Sequence, residues 1–539
     1  MVRLQRCVRK TLSFVLVSVA CQATAAIAQK YLPDDPISNV PETESAQKAG
    51  VQSINAIYDF MYHSVKYKTP PATPSLGINT LGEVPDSSWF TNRPPLAIEA
   101  LQKGARVHGG PKPPFTVVAA KTEGVTPGFR IKDGRGLTYF VKVDPRTNPE
   151  MATAADVMGA LFLYAAGYNV PENYILLAGR KDFRLSEKAT ITALSGKKHP
   201  MNRAQLERIL DAVPIESDGQ IRVMASLSIP GRSIGPFRYE SIRSDDPNDL
   251  IPHDRRRDLR GLAILFAWLN HTDAKGDNSL DSVVGKGPDA RIIHHLLDFG
   301  DSFGSDSDIA KDPRHGQEFW LPTSREQAHR ALTVGFVPTA WETARYPHHL
   351  PAAGNFTATG FDPLTWTPNY PNSAFLEMTP QDAYWGAKRV VSFSNEDIRA
   401  IVEEGQFSNS EVNGYISKVL IARRDLIGKA WFSRVAPLED FTVAEGRLDY
   451  TDLGQKYGVL PASVYNYSWF SFDDESGSKK VVAADGSTNA VPPRLASLGE
   501  GSFIGCRLTD SKEPRKSVTA ILRKLDNRWK LVGIERTSL

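Results

Sequence analysis

The sequence predicts an α+β fold in two lobes, with an N-terminal extension before them and a β-rich module after them. Three observations predict it. Short alternating segments at residues 116–120, 128–132 and 137–143 precede a strong helix pattern over 150–166 and a further strand at 174–178. Helix patterns dominate from residue 255 to 432, and from residue 441 onward the pattern turns to strands. The 539 residues, 41% of them hydrophobic and including 24 Phe, 17 Tyr and 9 Trp, suffice for several cores.

The elements follow in order. Residues 1–28 read as a secretory signal: Arg3, Arg6, Arg9 and Lys10, an apolar stretch over 12–20, then Ala26-Ile27-Ala28, cut before Gln29. A secreted or periplasmic chain with no transmembrane segment after cleavage is expected, and a lipoprotein anchored at Cys21 is the minor alternative. Removing the leader's four cations from a net charge of +3 leaves the chain near −1, which gives nucleic acid or an anionic membrane no support. Cys506 then stands alone and has no disulfide partner.

Residues 29–114 form the extension, Pro-rich apart from a helical stretch over 43–65 in which Val51, Ile54, Ile57, Tyr58 and Met61 lie near helical spacing. Trp89 within it reads as a packing anchor. The small lobe is expected over 115–180, the large lobe over 181–436, and the β-rich module over 437–539. Pro149 opens the 150–166 helix and Gly167 closes it. His294 and His295 are adjacent on a strand, point to opposite faces, and read as structural.

Two motifs carry chemistry. His271-Thr272-Asp273-Ala274-Lys275-Gly276-Asp277-Asn278 follows a long helix, and Asp298-Phe299-Gly300 ends a strand. The first has the His-x-Asp-x-x-x-x-Asn form of a kinase catalytic loop and the second is the metal-binding tripeptide. Phosphoryl transfer needs a carboxylate to receive the acceptor's proton and cations to neutralise the triphosphate. Asp273 fits the first need, as catalytic base. Asn278 and Asp298 fit the second as ligands of Mg²⁺, and Lys275 takes the slot beside the transferring phosphate. Lys142, alternating with Phe140, Val141 and Val143, is placed to reach the phosphates of ATP. Its acidic partner is Asp156 in mid-helix, preferred by position over Glu150 in the first turn, where the helix dipole alone favours an acid. Gly124 and Gly128 bracket the first turn, above the phosphates.

Thr272-Asp273-Ala274 followed by Asn278 resembles the catalytic loop of HipA-type kinases, whose pattern runs Asn-Thr-Asp-Ala-His-Ala-Lys-Asn. Leu163-Tyr164-Ala165-Ala166-Gly167 with Val170-Pro171-Glu172 resembles the end of their first helix, and Asp156 falls where those kinases carry a Glu. The resemblance covers about residues 116–434 and is specific at the two loops. It implies the two-lobed protein-kinase-like fold, in the atypical branch with CotH-like and lipid kinases, and an ATP- and Mg²⁺-dependent phosphotransferase. The sequence departs from classical protein kinases: it has no Gly-x-Gly-x-x-Gly and no Ala-Pro-Glu, and Thr272 replaces the Arg that clamps a phosphorylated activation loop. Asp301, Asp306 and Asp308 read as acids of a solvated loop. The acceptor, whether protein, glycan or lipid, is not legible. The alternative function is a pseudokinase-like envelope binding protein that keeps the fold without turnover.

Overall fold

In the computed structural model, which describes residues 31–65, 73–121, 128–192, 197–215, 218–321 and 341–539 with residues 332 and 339, the extension lies along the rest of the chain. The expected leader with Cys21 and its cleavage point, and Gly124 of the first turn, lie outside the described residues. Where the spacing predicts a helix over 43–65, only α1 (Ala56–Val65) is helical. Residues 46–52 instead spend their backbone on the large lobe: Ala46 N–H donates to the Ala290 carbonyl and Gln52 N–H to that of Ile234, both at 2.9 Å. The apolar stripe also faces the other way. Ile57, Tyr58 and Met61 are exposed, whereas Phe60 lies 5.7 Å from both Trp320 and Tyr370. Trp89 is the anchor expected of it, buried and stacked at 3.5 Å on His294, whose Nδ1 meets the Asp281 carboxylate at 2.7 Å.

The small lobe is built on alternation. Strands β1 (Phe115–Lys121), β2 (Gly128–Lys132) and β3 (Thr138–Val143) pair antiparallel in sequence, with Tyr139, Val141 and Val143 buried and Phe140 exposed. Helix α2 (Met151–Ala166) is Ala-rich and buried along nearly its whole length, because it runs between this sheet and the large lobe. β4 (Asn173–Ala178) does not pair with β3; β7 (Ile221–Leu227) inserts between them. The lobe therefore continues past residue 180. β5 (Phe183–Thr192) runs parallel to β1, β6 (Lys198–Pro200) is the edge, and α3 (Arg203–Asp211) buries Leu206 and Leu210 in the sheet's core. The seven strands are ordered β4-β7-β3-β2-β1-β5-β6.

The large lobe packs α4 (Arg257–Leu269), α5 (Pro380–Val391), α6 (Asn395–Glu403) and α7 (Ser410–Phe432) around one core that also receives α2 and the Trp89-Phe90 pair. A small sheet, β8 (Arg232–Ser233), β9 (Ser279–Val284) and β10 (Arg291–Leu296), flanks it. The C-terminal module joins a hairpin, β11 (Leu438–Ala444) and β12 (Arg447–Asp452), to a sheet of β13 (Tyr465–Phe472), β14 (Lys479–Ser487), β15 (Phe503–Asp510), β16 (Ser517–Leu525) and β17 (Arg528–Arg536). Asp526 and Asn527 both take positive φ in the β16–β17 turn, as a two-residue hairpin requires. Tyr31 docks on this module, its N–H on the Asp474 carboxylate and its ring beside Phe472 and Phe503. Cys506 is buried and unpaired. Among the described residues no helix is long and apolar enough to cross a membrane.

His295 on β10 supplies a pH dependence. Burial draws its imidazole down to about 4. The unfolded chain then binds a proton that the folded ring refuses, so this contribution to stability is complete above the unfolded value of ~6.5 and is lost as the pH falls toward 4. Over that window His295→Gln should lose less stability than the parent, by up to about 2–3 kcal/mol, in urea titrations at about pH 7 and about pH 4.5.

Candidate functional site

Helix α4 ends at Asn270, which takes the left-handed backbone of a helix cap at φ 52°. Arg423 of α7 secures that end by donating to the carbonyls of Ala267 (2.6 Å) and Trp268 (3.0 Å). The chain then drops into the polar loop. His271 is buried against Phe266, its Nδ1 is 2.8 Å from the Asp301 carbonyl, and burial pushes its pKa down to about 4, so the ring is neutral at pH 7. Asp273 opens onto a cavity of about 690 Å³ between the lobes. Its carboxylate accepts from Lys275 at 2.7 Å and from the Asn278 amide at 3.0 Å, while that amide also reaches the Asp273 carbonyl at 2.9 Å. Gly276 makes the turn at the only clearance available, since a Cβ there would stand 2.3 Å from Ile54 of the extension.

The second motif is tied to the first through the backbone. Leu297 N–H donates to the Asn278 carbonyl at 2.9 Å, which fixes Asp298 beside the loop. Asp298 takes φ 59°, a conformation that Asp tolerates better than most residues. Its carboxylate accepts from Lys142 at 2.5 Å. Lys142 also donates to Asp156 at 2.9 Å, and the other oxygen of Asp156 accepts the Phe299 N–H at 2.8 Å. Phe299 is fully buried on α2 over Gly159, where an added Cβ would come within 2.6 Å of the Phe299 Cβ. Burial opposes the charge on Lys142, but the carboxylates of Asp156 and Asp298 hold its pKa above the ordinary value. Burial and the neighbouring Asp298 raise Asp156; the Asp298 side chain is exposed to the cleft, loses part of its hydration there, and is held low by Lys142.

The cleft thus gathers Lys142, Asp156, Asp273, Lys275, Asn278 and Asp298, with Gly128 on its roof. Glu150 is elsewhere: it sits before α2 at φ 67° and accepts the Ser408 N–H. Among the described residues no group of three acids, histidines or cysteines is set to hold a metal unaided. Mg²⁺ in phosphoryl-transfer sites takes one or two protein oxygens and completes its shell with phosphates and water. Asp298 and the amide oxygen of Asn278 fit that need, because the amide's nitrogen is committed to Asp273.

Sequence reasoning missed Lys311, Trp320 and Asn369. Asp301, read as a solvated acid, is buried and ion-paired with Lys311, which also donates to the Thr272 hydroxyl at 3.0 Å. Asn369 N–H donates to the Thr272 carbonyl at 2.8 Å. All three lie in irregular segments, where no periodicity marks them.

Helix, strand lysine and paired loops at one interlobe cleft place the chain in the α+β, two-lobed protein-kinase-like fold class. No family model and no curated protein matches the chain. Among solved structures it resembles a crystal structure of the Golgi casein kinase with Mn/ADP bound, at 10% identity and a TM-score of 0.26, over 62% of this chain and 73% of that one. A second structure of the Golgi casein kinase aligns at 10% identity and a TM-score of 0.29, over 75% and 96%. At such scores neither bears on what this chain does.

Burial pushes Lys311 well below the ordinary lysine value, so its contact with Asp301 is what offsets that desolvation, and removing either partner leaves the other buried and unsatisfied. Lys311→Met should cost about 3–5 kcal/mol in urea denaturation, and adding Asp301→Asn should restore most of it.

Proposed function

We propose that this chain is an exported, kinase-like phosphotransferase that uses Mg-ATP, of the atypical branch its catalytic loop resembles. The observation that carries the reading is the Asp156 carboxylate, which joins Lys142 of β3 to the Phe299 backbone and so brings the lysine and Asp298 to the cleft that holds Asp273. In this reading Lys142 neutralises the nucleotide's phosphates and Lys275 attends the γ-phosphoryl group. Asp298 and Asn278 hold Mg²⁺, which supplies charge neutralisation when bound. The acceptor hydroxyl loses its proton to Asp273 as its oxygen bonds to the γ-phosphorus and the bond from phosphorus to the ADP oxygen breaks.

Two variants should fail differently. Asp298→Ala removes a metal carboxylate and should weaken Mg²⁺-dependent ATP binding about tenfold or more in calorimetry. Asp273→Ala should keep that binding and lose transfer by about 10²–10⁴-fold. A parent that binds no nucleotide with any divalent metal returns the chain to the binding-protein alternative. Export is tested separately: the intact mass of the envelope form should begin at Gln29, and a mass that includes residues 1–28 or a diacylglyceryl group on Cys21 refutes that cleavage.

A further inference from the structure

Beyond Asp273 the cleft contains polar and aromatic groups that the steps above leave unused. Trp320 lines it and is 42% exposed, although two contacts fix the residue: its backbone N–H donates to the Asn369 carbonyl and its indole N–H to His315 Nε2, both at 2.7 Å. Phe60 of α1 braces the ring at 5.7 Å. Asn369 lines the same cavity, is 1% exposed, and its side-chain oxygen is buried without a hydrogen-bond partner. A buried acceptor left unpaired costs about 1–3 kcal/mol unless a donor arrives. Through Asn369 the backbone runs without a gap from Trp320 to Thr272, the neighbour of Asp273. An aromatic surface and a waiting acceptor are thus held at fixed distance from the proposed base.

Charge narrows what fits there. Asp273 is countered by Lys275, Asp298 by Lys142 and Asp301 by Lys311; Asp306 lies 3.4 Å from His315, whose Nε2 accepts the indole N–H, and Asp308 lines the cavity beside it. A cationic peptide would find the three carboxylates nearest the proposed base, Asp273, Asp298 and Asp301, already paired with lysines. What remains suits a neutral molecule that offers C–H faces to the indole's electron-rich surface and hydroxyls as donors. We infer that the acceptor is a sugar: its ring packs on Trp320, one hydroxyl donates to Asn369, and another is phosphorylated. This rests on the phosphotransferase reading above. The sugar oxygen bonds to the γ-phosphorus, its proton passes to Asp273, and the phosphorus–oxygen bond to ADP breaks, releasing ADP.

The test uses the full exported chain. Saturation-transfer NMR is recorded with the methyl glycosides of glucose, galactose, xylose and N-acetylglucosamine, each with and without Mg-ATP. Label transfer from γ-radiolabelled ATP is then compared between these glycosides and serine peptides, one neutral and one Arg-rich. The inference expects saturation transfer to a glycoside and label on it. It also expects Trp320→Ala and Asn369→Ala to raise the glycoside KM about tenfold or more with ATP affinity within about twofold of the parent, and Trp320→Phe to recover part of the loss. Label on a peptide and none on any glycoside overturns it, as does glycoside binding indifferent to Trp320→Ala. Weakened ATP binding in Trp320→Ala also overturns it, because Trp320 would then be a platform for the base. If the parent binds glycoside in a Trp320-dependent way but binds no Mg-ATP, the sugar site stands and the phosphotransferase reading falls.

Discussion

The structure depends on one buried carboxylate having two partners. Asp156 is buried away from solvent, so each of its oxygens must find a donor, and the two donors come from elements far apart in the chain: the Lys142 ammonium on β3 and the Phe299 amide after β10. Either donor alone would leave a charged, half-satisfied group in the interior. The sheet of the small lobe, α2 and the loop after β10 therefore have to be correct together, and the position of Asp298 follows from that agreement.

The extension belongs to this arrangement rather than decorating it. Ile54 fills the space beside Gly276, Phe60 braces Trp320, and Trp89 stacks on His294, whose ring is held by Asp281 of β9. Elsewhere the large lobe is held by buried ionic contacts, such as Asp382 of α5 between Arg257 and Arg260 of α4. Such networks specify one alignment of two helices because any slip strands a charge.

Local signals made much of this legible. Alternation at Tyr139, Val141 and Val143 marks β3, the Ala-rich run marks α2, and the two loop motifs announce themselves by residue type at fixed spacing. What stayed hidden depends on partners distant in sequence. β5 alternates poorly and its pairing with β1 is parallel, so nothing local announces that the sheet continues past residue 180. The stripe of Ile57, Tyr58 and Met61 misled because Asp59, Phe60 and His63 find seats at Arg238, Trp320 and Tyr370, a preference that periodicity does not contain. Lys311, Trp320 and Asn369 acquire meaning only once Asp301 and Thr272 are beside them.

Tyr31 has a consequence for how the molecule is completed. Its ring sits among Phe470, Phe472 and Phe503 and its amide rests on Asp474, residues more than four hundred positions later. The order in which the chain is made is therefore not the order in which it closes: Tyr31 finds its partners only once the strands of the C-terminal sheet have emerged and paired. Contacts of such long range are slow to form and are the last to be rewarded. A chain cut before the C-terminal module would keep the cleft's residues and still lack the seat for Tyr31.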